Sequence, residues 1–325
     1  MKALLLEEKG KWKDMKVSEL DTPSPEADEI LVNVKAAGLN PVDYKTGSNG
    51  YPGWTFPHVL GLDVAGVVEE TGAEVTDFKA GDRVVFLNDM SRHGGFAEYA
   101  VTKAHTVSKL PDSVQFEDAA ALPVAAYTAY QALFFKLHVQ KNKTILIHAG
   151  AGGVGGFAIQ LAKYAGLTVI TTASEKKHSY VKQLGADYAI DYKNEDFVQK
   201  TKEITNGLGV DYVLDTVGRE NATKSLETLA FNGQIAFIAG QPEMNDSISF
   251  GHPISFHHVA LGSVYQSCNR AEEETLKQIG DHLVELLAEE KIHSLVEKVL
   301  SLEEVPKGLE ELESRGTTGK IVARI

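Results

Sequence analysis

One stretch leaves few folds open: Thr144–Ile–Leu–Ile–His–Ala–Gly–Ala–Gly–Gly–Val–Gly–Gly–Phe–Ala–Ile–Gln–Leu–Ala–Lys163. Thr144 to His148 is a short apolar run that reads as a fully buried strand. From Val154, apolar residues return at helical spacing through Phe157, Ile159, Leu161 and Ala162. Between the two lies Gly150-x-Gly152-x-x-Gly155, at the strand-to-helix turn where a dinucleotide fingerprint belongs. On this reading Gly150 allows the tight turn, Gly152 lets a pyrophosphate approach the backbone, and Gly155 lets helix and strand pack closely. The helix start offers free N–H groups and a positive dipole end to phosphate.

Beyond the turn, strands and helices alternate. Strands are expected at Thr168–Thr172, Tyr188–Ile190, Val210–Thr216 and Gln234–Ala239, with helices at Lys176–Leu184, Asp196–Thr205 and Ala222–Leu229 between them. Alternation of this kind means a doubly wound parallel sheet covered on both faces, with the cofactor across the carboxyl ends of its strands.

Residues 1 to about 120 have another character. Ile30–Ala36, Val64–Glu70, Asp82–Phe86 and Phe96–Val101 are short β-branched or alternating runs punctuated by glycines. Without helical patterns between them they favour a barrel or sandwich. Glu117–Phe135 reads as helical apart from Pro123, and beyond Gln241 a loop runs through Pro253. Glu272–Glu290 is a long amphipathic helix, and Ser301-x-x-Glu304 is a capping box opening a helix to about Ser314. Lys320–Ile325 is a strand without a place in the alternating sheet, so it is expected to return to the N-terminal β region. The domains are therefore 1–120, completed by about 265–325, and 121–264.

Bulk properties narrow the partners. A net charge of −13 argues against nucleic acid and anionic membrane, which demand a basic surface. No run approaches the length of a membrane span. The single thiol, Cys268, fits a reducing compartment and reads as a small buried residue, and the expectation is a cytoplasmic protein.

Several short motifs now add up. Ala37–Gly–Leu–Asn–Pro–Val–Asp43, Gly61–Leu–Asp–Val–Ala–Gly–Val–Val68, Gly81–Asp–Arg–Val84 and Gly94–Gly–Phe–Ala–Glu–Tyr99 come first. Ala126–Tyr–Thr–Ala–Tyr130, the glycine turn, Leu184–Gly–Ala–Asp187, Asp215–Thr–Val–Gly218 and Thr318–Gly–Lys–Ile–Val322 complete the set. With them the chain resembles the medium-chain dehydrogenase/reductase superfamily, in its zinc-free quinone oxidoreductase (zeta-crystallin-like) branch, nearly end to end. The resemblance implies an α/β protein: a GroES-like β-barrel catalytic domain plus a Rossmann domain, assembled as a homodimer through an edge of the dinucleotide sheet.

Zinc enzymes of that superfamily place a Cys and a His where this chain has Asn40 and Leu62. Asn is a poor zinc ligand and Leu is none, and catalytic zinc needs about three protein ligands. The four-cysteine zinc lobe is absent too. His252, His257 and His258 cluster in an expected loop and read as packed or solvated, so no metal is expected. Without a Lewis acid, a simple ketone lacks its alkoxide stabiliser, whereas a quinone or enone spreads the charge onto an oxygen that a hydrogen-bond donor can serve.

An NAD enzyme would end its second strand on an acid for the ribose hydroxyl. This chain reads Thr171–Thr–Ala–Ser–Glu–Lys–Lys177, whose small, hydroxyl and cationic side chains suit the 2′-phosphate of NADPH; Glu175 becomes the acid if the register shifts by one. The resemblance places Ser174, Lys177, Tyr192 and Arg315 at that phosphate. It places Thr128, Ala239, Gly240 and Gln241 by the nicotinamide, and Gly152, Gly153 and Val154 at the pyrophosphate.

For substrate, Asn40 takes a metal ligand's place and its amide can donate to a carbonyl oxygen; it also reads as a turn residue before Pro41. Lys45 can polarise that oxygen or be merely solvated. Tyr51 can stack on a quinone, donate from its hydroxyl, or stand exposed between Gly50 and Pro52. Asp43 and Asp63 read as supporting acids. The expected function is NADPH-dependent, zinc-independent reduction of quinones or α,β-unsaturated carbonyls. The alternative is a sensor or scaffold that binds NADPH without turnover.

Overall fold

A computed structural model describes residues 1–243, 249 and 251–325, so part of the expected loop from Gln241 to Pro253 lies outside the described residues. In chain order the first segment forms β1 (Lys2–Leu6), β2 (Lys16–Glu19), β3 (Glu29–Gly38), α1 (Pro41–Asn49), β4 (His58–Val59), β5 (Asp63–Thr71), β6 (Arg83–Leu87), β7 (Tyr99–Lys103), β8 (Ser108–Lys109), α2 (Phe116–Ala120) and α3 (Pro123–Tyr130). The second forms β9 (Thr144–Ile147), α4 (Gly153–Tyr164), β10 (Thr168–Ala173), α5 (His178–Gln183), β11 (Tyr188–Asp191), α6 (Phe197–Ile204), β12 (Val210–Asp215), α7 (Arg219–Ser225), β13 (Leu229–Phe237) and β14 (Ser255–His258). The last forms α8 (Arg270–Ala288), β15 (Val296–Ser301), α9 (Val305–Glu313) and β16 (Lys320–Arg324). The chain divides into two compact units, Met1–Tyr127 with Gly262–Ile325, and Thr128–Leu261. Among the described residues no helix is long and apolar enough to cross a membrane.

In the first unit the long strand β3 is the hub. Its Ile30-Leu31-Val32 run sits between β5 and β7, and at its other end Ala36–Gly38 pairs antiparallel with β16. The closing strand of the chain thus lies inside this sheet, between β3 and β15. A second sheet, in the order β2-β1-β4, is tied to the segment before β7 by Leu4 N–H donating to the Phe96 carbonyl at 2.8 Å. Leu4, Leu6, Trp12, Phe96 and Ile321 fill one core, and Ile30, Val64, Val84 and Phe86 another. Each such side chain contributes about 1.5–3 kcal/mol on burial.

In the second unit six strands run parallel in the order β11-β10-β9-β12-β13-β14. Crossover helices cover strands that are apolar on both sides, as a parallel sheet requires.

Several local expectations change. Pro41–Asn49 is a helix, started by Pro41 in its first turn, although Gly47, Ser48 and Asn49 give it no apolar stripe. The helix expected to end at Leu229 stops at Ser225, and Leu229 already belongs to β13, in register with Val210. His257 and His258 lie on β14, not in a loop, where His257 bonds Gln234 Oε1 at 2.9 Å and His258 stacks on Phe237. Cys268 is exposed rather than buried.

Candidate functional site

The glycine turn joins β9 to α4, with Gly152 as the residue before the helix. An added Cβ shows what each glycine is for. At Gly155 it would lie 2.3 Å from the Ala149 carbonyl oxygen, so helix and strand approach too closely for a side chain. At Gly152 it would meet only that same oxygen, at 3.4 Å, leaving the helix N-terminus open to an anion. Gly150 differs from its expected role. The left-handed residue of the turn is Ala149, at φ 52°, and Gly150 is required because a Cβ there would strike Thr171 Oγ1 at 2.1 Å. Gly153 and Val154, half-buried, form the first turn of the twelve-residue helix and present its N–H groups.

His148 underlies the turn. Ser225 Oγ gives its own hydrogen to the Asn221 carbonyl, so it accepts from His148 Nε2 at 2.9 Å, while Nδ1 faces Thr172 Oγ1 at 3.1 Å. Burial depresses the imidazole to about 4, outweighing the opposing charge of Asp215, so the ring is neutral and ties β9, β10 and α7 together.

At the carboxyl edge, β10 and β11 pair Ala173 with Asp191. Ser174 follows β10, and Tyr192 follows β11 and is 55 % exposed. Lys177 is half-buried; burial, reinforced by the Lys193 ammonium, lowers its pKa. Glu175 points to solvent. The carboxylate that organises this edge is Asp191, which no sequence signal singles out. It accepts from Asn194 Nδ2 at 2.6 Å and from the Lys193 N–H at 3.2 Å. The neighbouring acid is thereby consumed by the turn itself. Ala239, Gly240 and Gln241 lie just past β13, and Gly240 holds φ 145°. Thr128 is buried on α3. Arg315, exposed after α9, belongs to the first unit, whereas Ser174, Lys177 and Tyr192 belong to the second.

In the first unit Asn40, at one of the superfamily's metal positions, joins Lys320 and the supporting acids in a closed network. Lys320 is buried, and its ammonium donates to Asn40 Oδ1 at 2.6 Å, Asp63 Oδ2 at 2.9 Å and the Leu39 carbonyl at 3.2 Å. Asn40 Nδ2 donates to the same Asp63 oxygen at 2.9 Å and to the Gly38 carbonyl at 3.3 Å. Asp63 Oδ1 accepts the Val124 N–H at 2.7 Å, at the start of α3. Asp43, buried beside them, accepts the Asn40 N–H at 2.7 Å; burial pushes its carboxyl up to about 8, and the Asp63 charge adds to this. The expected free amide of Asn40 is thus corrected: both its hydrogens are spent inside the protein. Sequence reasoning misses the lysine, because a Lys opening the apolar run Ile321–Ala323 reads as an ordinary strand-end charge.

Lys45 is exposed on α1. Tyr51 is half-buried, 6.1 Å from the Trp54 ring, and its hydroxyl oxygen accepts from Gln266 Nε2 at 2.5 Å.

Comparison with known proteins agrees with both halves. Residues 26–112 match the alcohol dehydrogenase GroES-like domain and residues 153–283 the zinc-binding dehydrogenase domain. A quinone oxidoreductase from Sus scrofa is 31% identical, over 94% of this chain and 92% of its own. The crystal structure of a quinone oxidoreductase from Pseudomonas syringae pv. Tomato superposes at TM-score 0.89 with 32% identity, covering 100% of this chain and 99% of the other. A mycobacterial protein solved in complex with NADPH superposes at 0.89 with 30% identity over 100% of both chains. The chain belongs to the quinone oxidoreductase family of medium-chain dehydrogenases/reductases, with a GroES-like domain and a Rossmann domain built to bind NAD(P).

Proposed function

We propose that the protein is an NADPH-dependent, zinc-independent reductase of quinones or α,β-unsaturated carbonyls. The observation that carries this reading is the Lys320 ammonium held between Asn40 and Asp63. Asn40, which stands where the zinc enzymes carry a ligand, here binds a fixed cation together with Asp63, and a second cation beside it would be repelled. Asn40 and Leu62 add no replacement ligand.

The phosphate end supports NADPH over NADH. Lys177 and Tyr192 flank Ser174 at the carboxyl edge of β10, while Asp191 is occupied by its own turn. The open N-terminus of α4 takes the pyrophosphate on Gly152, Gly153 and Val154. Thr128 and the segment Ala239–Gln241 hold the nicotinamide face. When bound, the nicotinamide supplies a hydride to a carbon conjugated with the carbonyl. Tyr51 and Lys45 are the side chains able to donate to the oxygen that gains charge. Dimerisation through an edge of the parallel sheet, whose outer strands are β11 and β14, completes the proposal, since an uncovered edge strand invites pairing.

The test is loss of reduced-nicotinamide absorbance in the presence of EDTA. The acceptors are 1,4-benzoquinone, 9,10-phenanthrenequinone, an enone and a simple ketone, each with NADPH and NADH. Turnover of quinone or enone but not ketone, with preference for NADPH, is the expected result. NADPH binding that raises Tm while no acceptor is reduced would overturn it in favour of the sensor or scaffold.

A further inference from the structure

Tyr51 follows Gly50, which ends α1, and Gln266 lies in the short helical turn Leu261–Ser267 ahead of α8. The two segments are 215 residues apart in sequence, yet they meet in one hydrogen bond, Gln266 Nε2 to Tyr51 Oη at 2.5 Å. A phenol has one hydrogen to give and lone pairs to receive. Here the amide N–H fills the accepting side. Among the described residues no acceptor is placed for the Tyr51 hydrogen, and the ring is steadied from another side by Trp54. Trp54 is itself anchored, its Nε1 donating to the Met90 carbonyl at 2.7 Å and its ring stacked 4.0 Å from that of His58. The result is a solvent-facing hydroxyl whose oxygen accepts from Gln266 and whose hydrogen is left to a ligand or to water.

We propose that Gln266 is a positioning residue that fixes the Tyr51 hydroxyl as a hydrogen-bond donor to the carbonyl oxygen of the substrate. A hydroxyl that accepts one bond donates the next more strongly, because successive bonds polarise one another. Such a donor matters most where charge develops on oxygen during hydride addition. The inference rests on the proposed reductase activity and adds a direction to one hydrogen bond. No covalent step involves either residue.

The direction of that bond is what the experiment reads. Gln266→Glu keeps the side chain's shape but replaces the donating amide with a carboxylate, which accepts. The Tyr51 hydrogen would then turn toward residue 266 and away from substrate. Tyr51→Phe, Gln266→Glu and the double variant are compared in kcat and KM for a quinone and an enone, with Tm and NADPH Kd as checks on folding and cofactor binding. The expected result is a fall in kcat/KM of about tenfold for each single variant, the scale of one lost hydrogen bond. The double variant should be no worse than Tyr51→Phe, with Tm and NADPH Kd unchanged throughout. Gln266→Asn, which keeps a donor, should recover part of the loss.

If Tyr51→Phe is impaired and Gln266→Glu is not, the positioning role is overturned while the hydroxyl's role stands. If Tyr51→Phe turns over like the parent, the donor reading itself is overturned. If the parent reduces no acceptor, the proposed activity falls first and the inference with it.

Discussion

Asp43 shows how much one buried side chain can hold. It accepts the Asn40 N–H at the start of α1, a neutral or charged carboxyl serving equally as acceptor, and burial sets its pKa near 8 against an ordinary 3.8. Between those values the folded chain retains a proton that the unfolded chain has lost. Stability from this group therefore falls as pH rises from about 3.8 to about 8, and the loss is complete above that. Asp43→Asn keeps the acceptor oxygen and cannot ionise. Urea unfolding should give the variant a flatter dependence than the parent between pH 6 and pH 9; parallel curves would show that Asp43 does not titrate there. The same region explains what the sequence hides. Asn40 is legible as a residue out of place among metal ligands, but the partner that engages its amide oxygen lies 280 residues away. No local pattern announces a buried lysine; strand β16 opens on one, and Lys320 looks like an ordinary strand-end charge until β3 and β5 are folded around it. Gln266 is equally silent, since its meaning is a single contact made by the fold.

The elements are legible where periodicity is strong. The strand-turn-helix at Thr144–Lys163, the alternating strands after it and the capped turn Leu302–Glu304 that leads into α9 all come from local signals, and the Glu304 carboxylate does accept the Ser301 N–H at 3.0 Å. α1 and β14 escape for opposite reasons. α1 carries a helix-start signal in Asn40–Pro41 but no apolar stripe. β14 has four residues, and only pairing with Gln234–Phe237 makes them a strand. The glycine turn gives a prediction at this scale, because its glycines answer to different neighbours. Gly155→Ala pushes a methyl to 2.3 Å from a backbone oxygen that cannot yield, so it should cost about 1–3 kcal/mol or more by the scale of overpacked cores. Gly152→Ala meets ordinary contact at 3.4 Å and should fold with nearly the parent's Tm. Its methyl instead enters the space left for a pyrophosphate, so NADPH Kd should rise about tenfold or more. Equal losses of Tm in both variants would remove the distinction drawn between the two glycines.

At the scale of the molecule, the chain order decides which unit depends on which residues. The Rossmann unit is one continuous segment, Thr128–Leu261, whose core of Leu146, Ile170, Val213 and Ile235 is drawn wholly from within it. The GroES-like unit is assembled from both ends of the chain, and its last piece is not a trimming. β16 lies between β3 and β15, its Ile321, Val322 and Ala323 are buried, and Lys320 neutralises an otherwise buried Asp63. Removing residues 320–325 strips ladder partners from both neighbours and leaves Asp63 as an uncompensated buried charge, a loss of about 3–5 kcal/mol from the ion pair alone. That is a large part of a domain's net stability of about 5–15 kcal/mol. The shortened chain should therefore lose the GroES-like unit and keep the Rossmann unit. Limited proteolysis should leave a resistant core close to residues 128–261, while the parent resists throughout. Resistance of the whole shortened chain would show that β16 is dispensable, and digestion of the whole would show that the Rossmann segment cannot hold its own core together.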